Sequence, residues 1–71
     1  EKNTRAALAI FKLNVVLYPN SGNAYDSLGG VHEIIDDKAG ALANYKKSLA
    51  LDPQNKNAAK RISVLEGNQA L

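Results

Sequence analysis

The residues best suited to chemistry lie together in the middle of the chain: His32, Glu33, Asp36 and Asp37. On a helix His32 and Asp36 would lie one turn apart, where they could bind a metal ion or transfer a proton. A zinc site needs three or four ligands, and the 71-residue chain has one His and no Cys. We therefore expect a structural role, with His32 at a helix–helix contact and Asp36 or Asp37 capping the next helix.

Other catalytic arrangements are also missing from the sequence. None of the serines has a candidate base near it in sequence, as an activated nucleophile requires. Gly29-Gly30 lies in a helical stretch and is not followed by the Lys-Ser/Thr pair of phosphate-binding loops. The sequence predicts no catalytic residue, no cofactor and no metal ion, and hence a protein that is not an enzyme.

The charge balance limits the classes of partner. Nine Lys and Arg against seven Asp and Glu give a net charge of +2, which is too small to indicate nucleic acid. Lys56, Lys60 and Arg61 could bind an acidic peptide or nucleic acid, but a solvated helix face is the simpler interpretation. No apolar run approaches the ~18 residues of a membrane-spanning helix. We predict no nucleic-acid and no membrane partner. The lack of Cys fits a reducing cytoplasm without requiring one.

Two prolines divide the chain into helical segments. Pro19 and Pro53 each end an apolar stretch, and residues that precede proline avoid the helical region. Ser21 and Asn55 follow as N-caps, and Gly67 suits the left-handed conformation that closes a helix. No stretch alternates with period two. The sequence predicts an all-α fold of about four helices, over residues 4–17, 22–35, 38–51 and 56–66.

The first predicted helix is apolar around most of its circumference. At ~100° per residue, one apolar stripe is formed by Ala7, Leu8, Phe11, Val15 and Tyr18. A second stripe beside it, here called the open stripe, is formed by Ala6, Ile10, Leu13 and Leu17. The next helix can cover only one of them. Because so apolar a helix is typical of a buried one, we predict a cover for the open stripe. It is either a parent domain or missing repeats, or another copy of the chain, as a homodimer or by exchange of helices.

A 34-residue spacing separates the two prolines. Between them lie an aromatic residue, a Leu-Gly pair, a small residue and a second aromatic residue, namely Tyr25, Leu28, Gly29, Ala41 and Tyr45. This pattern resembles the tetratricopeptide repeat, from which His32 and Ser48 depart. The resemblance implies antiparallel helical hairpins in a single domain over residues 1–71. It assigns 4–19 to the second helix of a partial repeat, 20–53 to a full repeat, 54–66 to a C-terminal capping helix and 67–71 to a tail.

The resemblance also implies a binding surface. In this family, partner peptides lie along the concave surface formed by the first helix of each repeat. By position that surface holds Asn23, Asp26, Glu33, Asn57 and Lys60, here called the concave row, with Gly30 and Val64 beside them. Some members clamp a C-terminal carboxylate with Lys and Asn, but Asp26 and Gly30 stand at those positions, so that clamp is not expected.

The function implied by the resemblance is a non-catalytic protein–protein interaction or scaffold module. Its partner would be a protein or peptide. The open stripe, and not the resemblance, leads us to expect self-association through the first helix. The run from Asn23 to Gly29 is also similar to repeats in the tails of bacterial serine hydrolases. The alternative is therefore an accessory C-terminal tail of a larger bacterial enzyme.

Overall fold

A computed structural model describes residues 2–67, and every regular element in that range is a helix. Helix α1 spans Lys2–Leu17, α2 spans Gly22–Ile34, α3 spans Lys38–Leu51 and α4 spans Lys56–Leu65. The predicted all-α fold is confirmed, with predicted and observed bounds within two residues of each other. Of the predicted tail, residues 68–71 lie outside the described part of the chain.

Side-chain caps begin three of the four helices. Ser21, Asp37 and Asn55 each accept a hydrogen bond, at 3.0–3.2 Å, from the backbone N–H three residues later. Asp37, not Asp36, therefore caps α3. Asp36 instead has a φ of 64°, a left-handed conformation that Asp tolerates better than most residues, and it reverses the chain between α2 and α3. Gly67 follows α4 with a φ of 75°, as predicted.

The helices pack in chain order, each against the next. The contact between α2 and α3 is the most extensive, while α1 packs on α2 and α4 packs on α3. The buried apolar side chains come from α2, α3 and α4, and they are Ala24, Leu28, Val31, Ala41, Tyr45 and Ala58. Leu49, Ile62 and Leu65 extend this core between α3 and α4. Helix α1 contributes no fully buried side chain among the described residues, which leaves much of its surface open.

Candidate protein-interaction surfaces

The concave row is partly occupied by hydrogen bonds within the chain. Asp26 on α2 accepts bonds from Asn57 Nδ2 at 2.9 Å and from Asn55 Nδ2 at 3.0 Å. Asn55 Nδ2 also donates to Ser48 Oγ at 2.9 Å, and the Ser48 hydroxyl donates to the backbone carbonyl of Gly22 at 2.7 Å. This network joins α2, α3 and the start of α4. It also gives the fully buried Ser48 a partner for its hydroxyl.

Glu33, another member of the concave row, bonds to two other helices. Tyr45 Oη on α3 donates to Glu33 Oε1 at 2.7 Å. Arg61 on α4 donates from Nε to Oε1 at 2.9 Å and from Nη2 to Oε2 at 2.5 Å, a bidentate arrangement that is strong and directional. No local signal in the sequence pairs Glu33 with Arg61. Only the predicted repeat, in which α2 and α4 are neighbours, could have suggested this contact.

The protonation of this cluster follows from its contacts. The bond from Arg61 lowers the pKa of the Glu33 carboxyl, and the bond from Tyr45 acts in the same direction. Glu33 in turn raises the pKa of Arg61. Burial, together with the bond to Glu33, raises the pKa of the Tyr45 phenol. At neutral pH the cluster is therefore a carboxylate held between a guanidinium and a neutral phenol.

The other two members of the concave row, Asn23 and Lys60, are exposed. The carboxylates of Asp26 and Glu33, in contrast, are engaged with α4. A peptide that bound these two acids would have to replace bonds that hold α4 against α2. The described contacts thus give most of the concave row a role in fastening helices together.

The open stripe lies on the surface of α1. Ile10 is 61%, Leu13 56% and Leu17 59% exposed, and Ala6 is exposed as well. The neighbouring apolar stripe packs towards α2, where Ala7, Leu8, Phe11 and Val15 are half-buried. The open stripe is therefore a continuous row of exposed, mostly large apolar side chains along one side of α1.

Apolar exposure continues beyond the open stripe. Val16, which lies on the narrow face of α1 that carries Arg5 and Lys12, is 72% exposed. Periodicity predicted Tyr18 in the stripe that packs towards α2. Tyr18 is instead 61% exposed, and it lies just after the end of α1 at Leu17. The turn that follows forms an open hollow of about 360 Å³. Its lining residues are Leu17, Tyr18, Pro19, Asn20 and Ser21.

The predicted 34-residue repeat allows the open stripe to be compared with α3. Residues 34 positions after the stripe are Gly40, Asn44, Lys47 and Leu51. These residues lie along the edge of the α2–α3 contact: Lys47 is exposed, with its Nζ 5.9 Å from the ring centroid of Tyr25, and a Cβ on Gly40 would lie 2.6 Å from His32 Nδ1. The α3 side chains that contact α2 most closely are Tyr45, which lies against Gly29, and Ser48, which bonds to Gly22. The residues 34 positions before them are Phe11 and Asn14, so the open stripe corresponds to the edge of the α2-binding face of α3 and not to its centre.

His32 pairs with Asp37, not with Asp36. His32 Nδ1 lies 3.0 Å from Asp37 Oδ2, and the His32 side chain, only 13% exposed, packs at the α2–α3 contact as predicted. The pairing with Asp36 assumed a continuous helix, whereas α2 ends at Ile34. The Gly40 N–H lowers the pKa of the Asp37 carboxyl, and His32 acts in the same direction.

Within residues 2–67, no three His, Cys, Asp or Glu side chains are grouped so as to hold a metal ion.

One known protein is similar to most of this chain. The Hsp70-Hsp90 organizing protein of Triticum aestivum is 45% identical to it over 49 residues, which is 69% of this chain and 8% of the wheat protein. That relative contains tetratricopeptide repeats, so the match agrees with the repeat pattern. No protein-family model and no solved structure matches the chain.

No helix in residues 2–67 is long and apolar enough to span a membrane.

Proposed function

We propose that this chain is a tetratricopeptide-like module without catalytic activity, which binds proteins through the open stripe. The observation that carries the proposal is that Ile10, Leu13 and Leu17 are each more than half exposed along one side of α1. The repeat boundaries predicted from the sequence are part of this proposal. So is a scaffold role, which the wheat relative supports because its name describes a protein that organises Hsp70 and Hsp90.

The concave row fits this role less well than the open stripe. Asp26, Asn57 and Glu33 already have partners within the chain. A ligand would gain little by exchanging one hydrogen bond for another, since such exchanges are close to neutral in free energy. Apolar side chains on the open stripe have water as their alternative partner, so covering them is favourable.

Self-association is the simplest use of the open stripe. Complete burial of an Ile or Leu side chain is worth roughly 1.5–3 kcal/mol. A symmetric dimer would bury the exposed part, about 60%, of three such side chains per copy, which gives roughly 5–11 kcal/mol. Association itself costs an estimated 4–15 kcal/mol. Because the gain and the cost are of similar size, the dimer proposed here should be weak and should dissociate on dilution.

Light scattering behind a sizing column tests the proposal, with the intact chain loaded from about 10 μM to about 1 mM, a range that covers weak association. The test variant carries Ile10→Glu and Leu17→Glu. The control carries Ala43→Glu and Ala50→Glu, two exposed positions on α3 with the same seven-residue spacing and the same added charge. Circular dichroism establishes that all three proteins are equally helical.

The proposal predicts that the mass of the natural chain and of the control rises from 7.6 kDa towards twice that value with concentration. The stripe variant should stay at 7.6 kDa. Dimers that persist in the stripe variant would show that the interface lies elsewhere. A natural chain that is monomeric throughout would contradict self-association and favour the alternative, an accessory tail whose open stripe docks on a larger protein.

A further inference from the structure

We propose that a second copy of this chain covers the open stripe in an antiparallel, two-fold arrangement, so that assembly stops at the dimer. This inference rests on the proposed self-association and adds its geometry. The open stripe is one face of a helix with the spacing of a coiled-coil seam, so a helix is the expected shape of whatever covers it. The question is then which helix of a second copy fits.

Helix α4 is the first candidate, because head-to-tail stacking would place it where α2 lies on α3. The side of α2 that faces α3 carries Gly22, Tyr25, Gly29 and His32. The equivalent positions, in α4 and at its C-cap, are Lys56, Ala59, Ser63 and Glu66. This edge of α4 is polar or small, and Glu66 is ion-paired with Lys46 at 2.9 Å. It offers no large apolar side chain to the open stripe.

Ser63 is also a steric obstacle to head-to-tail stacking. At the equivalent Gly29, a Cβ would lie 2.9 Å from two ring carbons of Tyr45. The aromatic residue that Ser63 would meet on a neighbouring α1 is Phe11, 34 positions before Tyr45. Because Ser carries a Cβ, α4 cannot approach α1 as closely as α2 approaches α3. The two ends of the molecule are therefore not complementary to each other.

Helix α1, in contrast, is complementary to itself. The open stripe follows the spacing 4, 3, 4 along the chain, which reads the same in both directions and matches the seam of a coiled coil. In an antiparallel pair, Ala6 lies opposite Leu17 of the partner subunit, and Ile10 lies opposite Leu13 of the partner subunit. Each layer at the ends thus combines a small and a large side chain. A parallel pair would place Ala6 against its own copy and leave a gap.

Two of the three charged residues of α1, Arg5 and Lys12, permit the same arrangement. At ~100° per residue, Arg5 and Lys12 lie more than about 100° around the helix from the centre of the open stripe. They therefore flank the contact and do not enter it. Antiparallel helices also bring opposite ends of the helix dipoles together, which is favourable. The exposed parts of six Ile and Leu side chains cover on the order of a few hundred Å², less than the roughly 1,000 Å² of a stable interface, so the dimer should form only at high concentration.

Two-fold pairing uses the open stripe of both copies and leaves none exposed. Such an isologous contact closes on itself, whereas a head-to-tail contact would extend into a fibre. The measured mass should therefore reach a plateau at two chains. It should not increase further with concentration.

Disulfide trapping tests the orientation, since the natural chain has no Cys. Ala6→Cys and Leu17→Cys are made as separate single variants, both at exposed positions. In the proposed dimer, positions 6 and 17 of opposite copies share a layer. Two copies of position 6 are offset by eleven residues, or about 16 Å at 1.5 Å per residue, well beyond the ~7 Å that a disulfide spans. An equimolar mixture should therefore cross-link at least several-fold faster than either variant alone.

The matched control mixes Ala6→Cys with Glu66→Cys. Head-to-tail stacking would bring these two positions together, because they are the equivalents of Gly40 and His32, which lie side by side within the chain. Faster cross-linking of that pair, or a mass that grows past two chains, would overturn the two-fold dimer in favour of a fibre. Efficient cross-linking of Ala6→Cys alone would overturn it in favour of a parallel pair. In both cases self-association itself would survive. A natural chain that is monomeric at every concentration would overturn the two-fold dimer together with the self-association on which it rests, and would leave the open stripe to a different protein.

Discussion

Gly29 lies against the ring of Tyr45 so closely that no side chain fits between them. A Cβ on Gly29 would be 2.9 Å from the Cδ1 and Cε1 atoms of the ring. The ring cannot easily move, because Tyr45 is 3% exposed and its hydroxyl donates to Glu33 at 2.7 Å. The glycine of the Leu-Gly pair thus sets the distance between α2 and α3.

Gly29→Ala should consequently destabilise the fold, although alanine favours helices more than glycine does. Overpacking of a filled core costs about 1–3 kcal/mol, which offsets or exceeds the gain of about 1 kcal/mol in helix propensity. Gly30→Ala is the matched control, since its Cβ would meet only the Tyr45 hydroxyl, at an ordinary 3.7 Å. This control should gain up to about 1 kcal/mol.

Urea unfolding followed by circular dichroism measures both changes. The midpoints should move in opposite directions, or the Gly29→Ala midpoint should at least fall well below that of Gly30→Ala. Equal stabilisation of the two variants would show that the α2–α3 contact yields without cost, and that the steric argument is wrong.

The helices and the open stripe could be predicted because their signals are local. Pro19, Pro53 and the caps at Ser21 and Asn55 act within one turn of the helix ends that they define. The open stripe follows from periodicity along α1 alone. Asp36 shows the limit of this reasoning: the spacing left open whether Asp36 or Asp37 caps α3, and only the structure shows that Asp37 is the cap and Asp36 has a left-handed φ.

The state of the concave row could not be predicted from spacing. Periodicity places Asp26 and Glu33 on one side of α2, but it does not say which groups meet them there. Asn55 and Arg61 are separated from these acids by 29 and 28 residues respectively. Their contacts arise only when α4 docks on α3. A surface that the family resemblance assigns to a partner is thus largely satisfied by the chain itself.

Asn55 should matter more for stability than Asn57, although both donate to Asp26. The Asn55 side chain also caps α4 and bonds to the buried Ser48, whereas Asn57 is exposed and makes one bond to Asp26. Asn55→Ala removes a cap worth about 1 kcal/mol and a buried hydrogen bond of similar value. We expect a loss of about 1–3 kcal/mol for Asn55→Ala and about 0.5 kcal/mol or less for Asn57→Ala.

Thermal unfolding distinguishes these variants, because about 1 kcal/mol shifts the midpoint of a domain of this size by roughly 4–8 °C. Similar midpoints for Asn55→Ala and Asn57→Ala would indicate that Asp26, and not the cap of α4, is the important member of the network.

The ionisation of Glu33 should make the stability of the fold depend on pH in the acidic range. Arg61 and Tyr45 hold the pKa of its carboxyl below the ordinary value of 4.5. A lowered pKa in the folded state means that the ionised form stabilises the fold. This contribution is fully present above the unfolded pKa and is lost as the pH falls through the folded pKa.

Glu33→Gln tests this contribution, because glutamine keeps the shape of the side chain and removes its charge. The variant should unfold several degrees below the natural chain at pH 7, and the difference should stay constant down to about pH 5. Below about pH 4 the difference should shrink, since Glu33 of the natural chain is then increasingly protonated. Asp37, whose carboxyl pKa is also lowered, is present in both proteins, so its effect cancels in the difference. A gap between the two midpoints that is the same at pH 7 and at pH 3 would mean that Glu33 contributes through its shape and not through its charge.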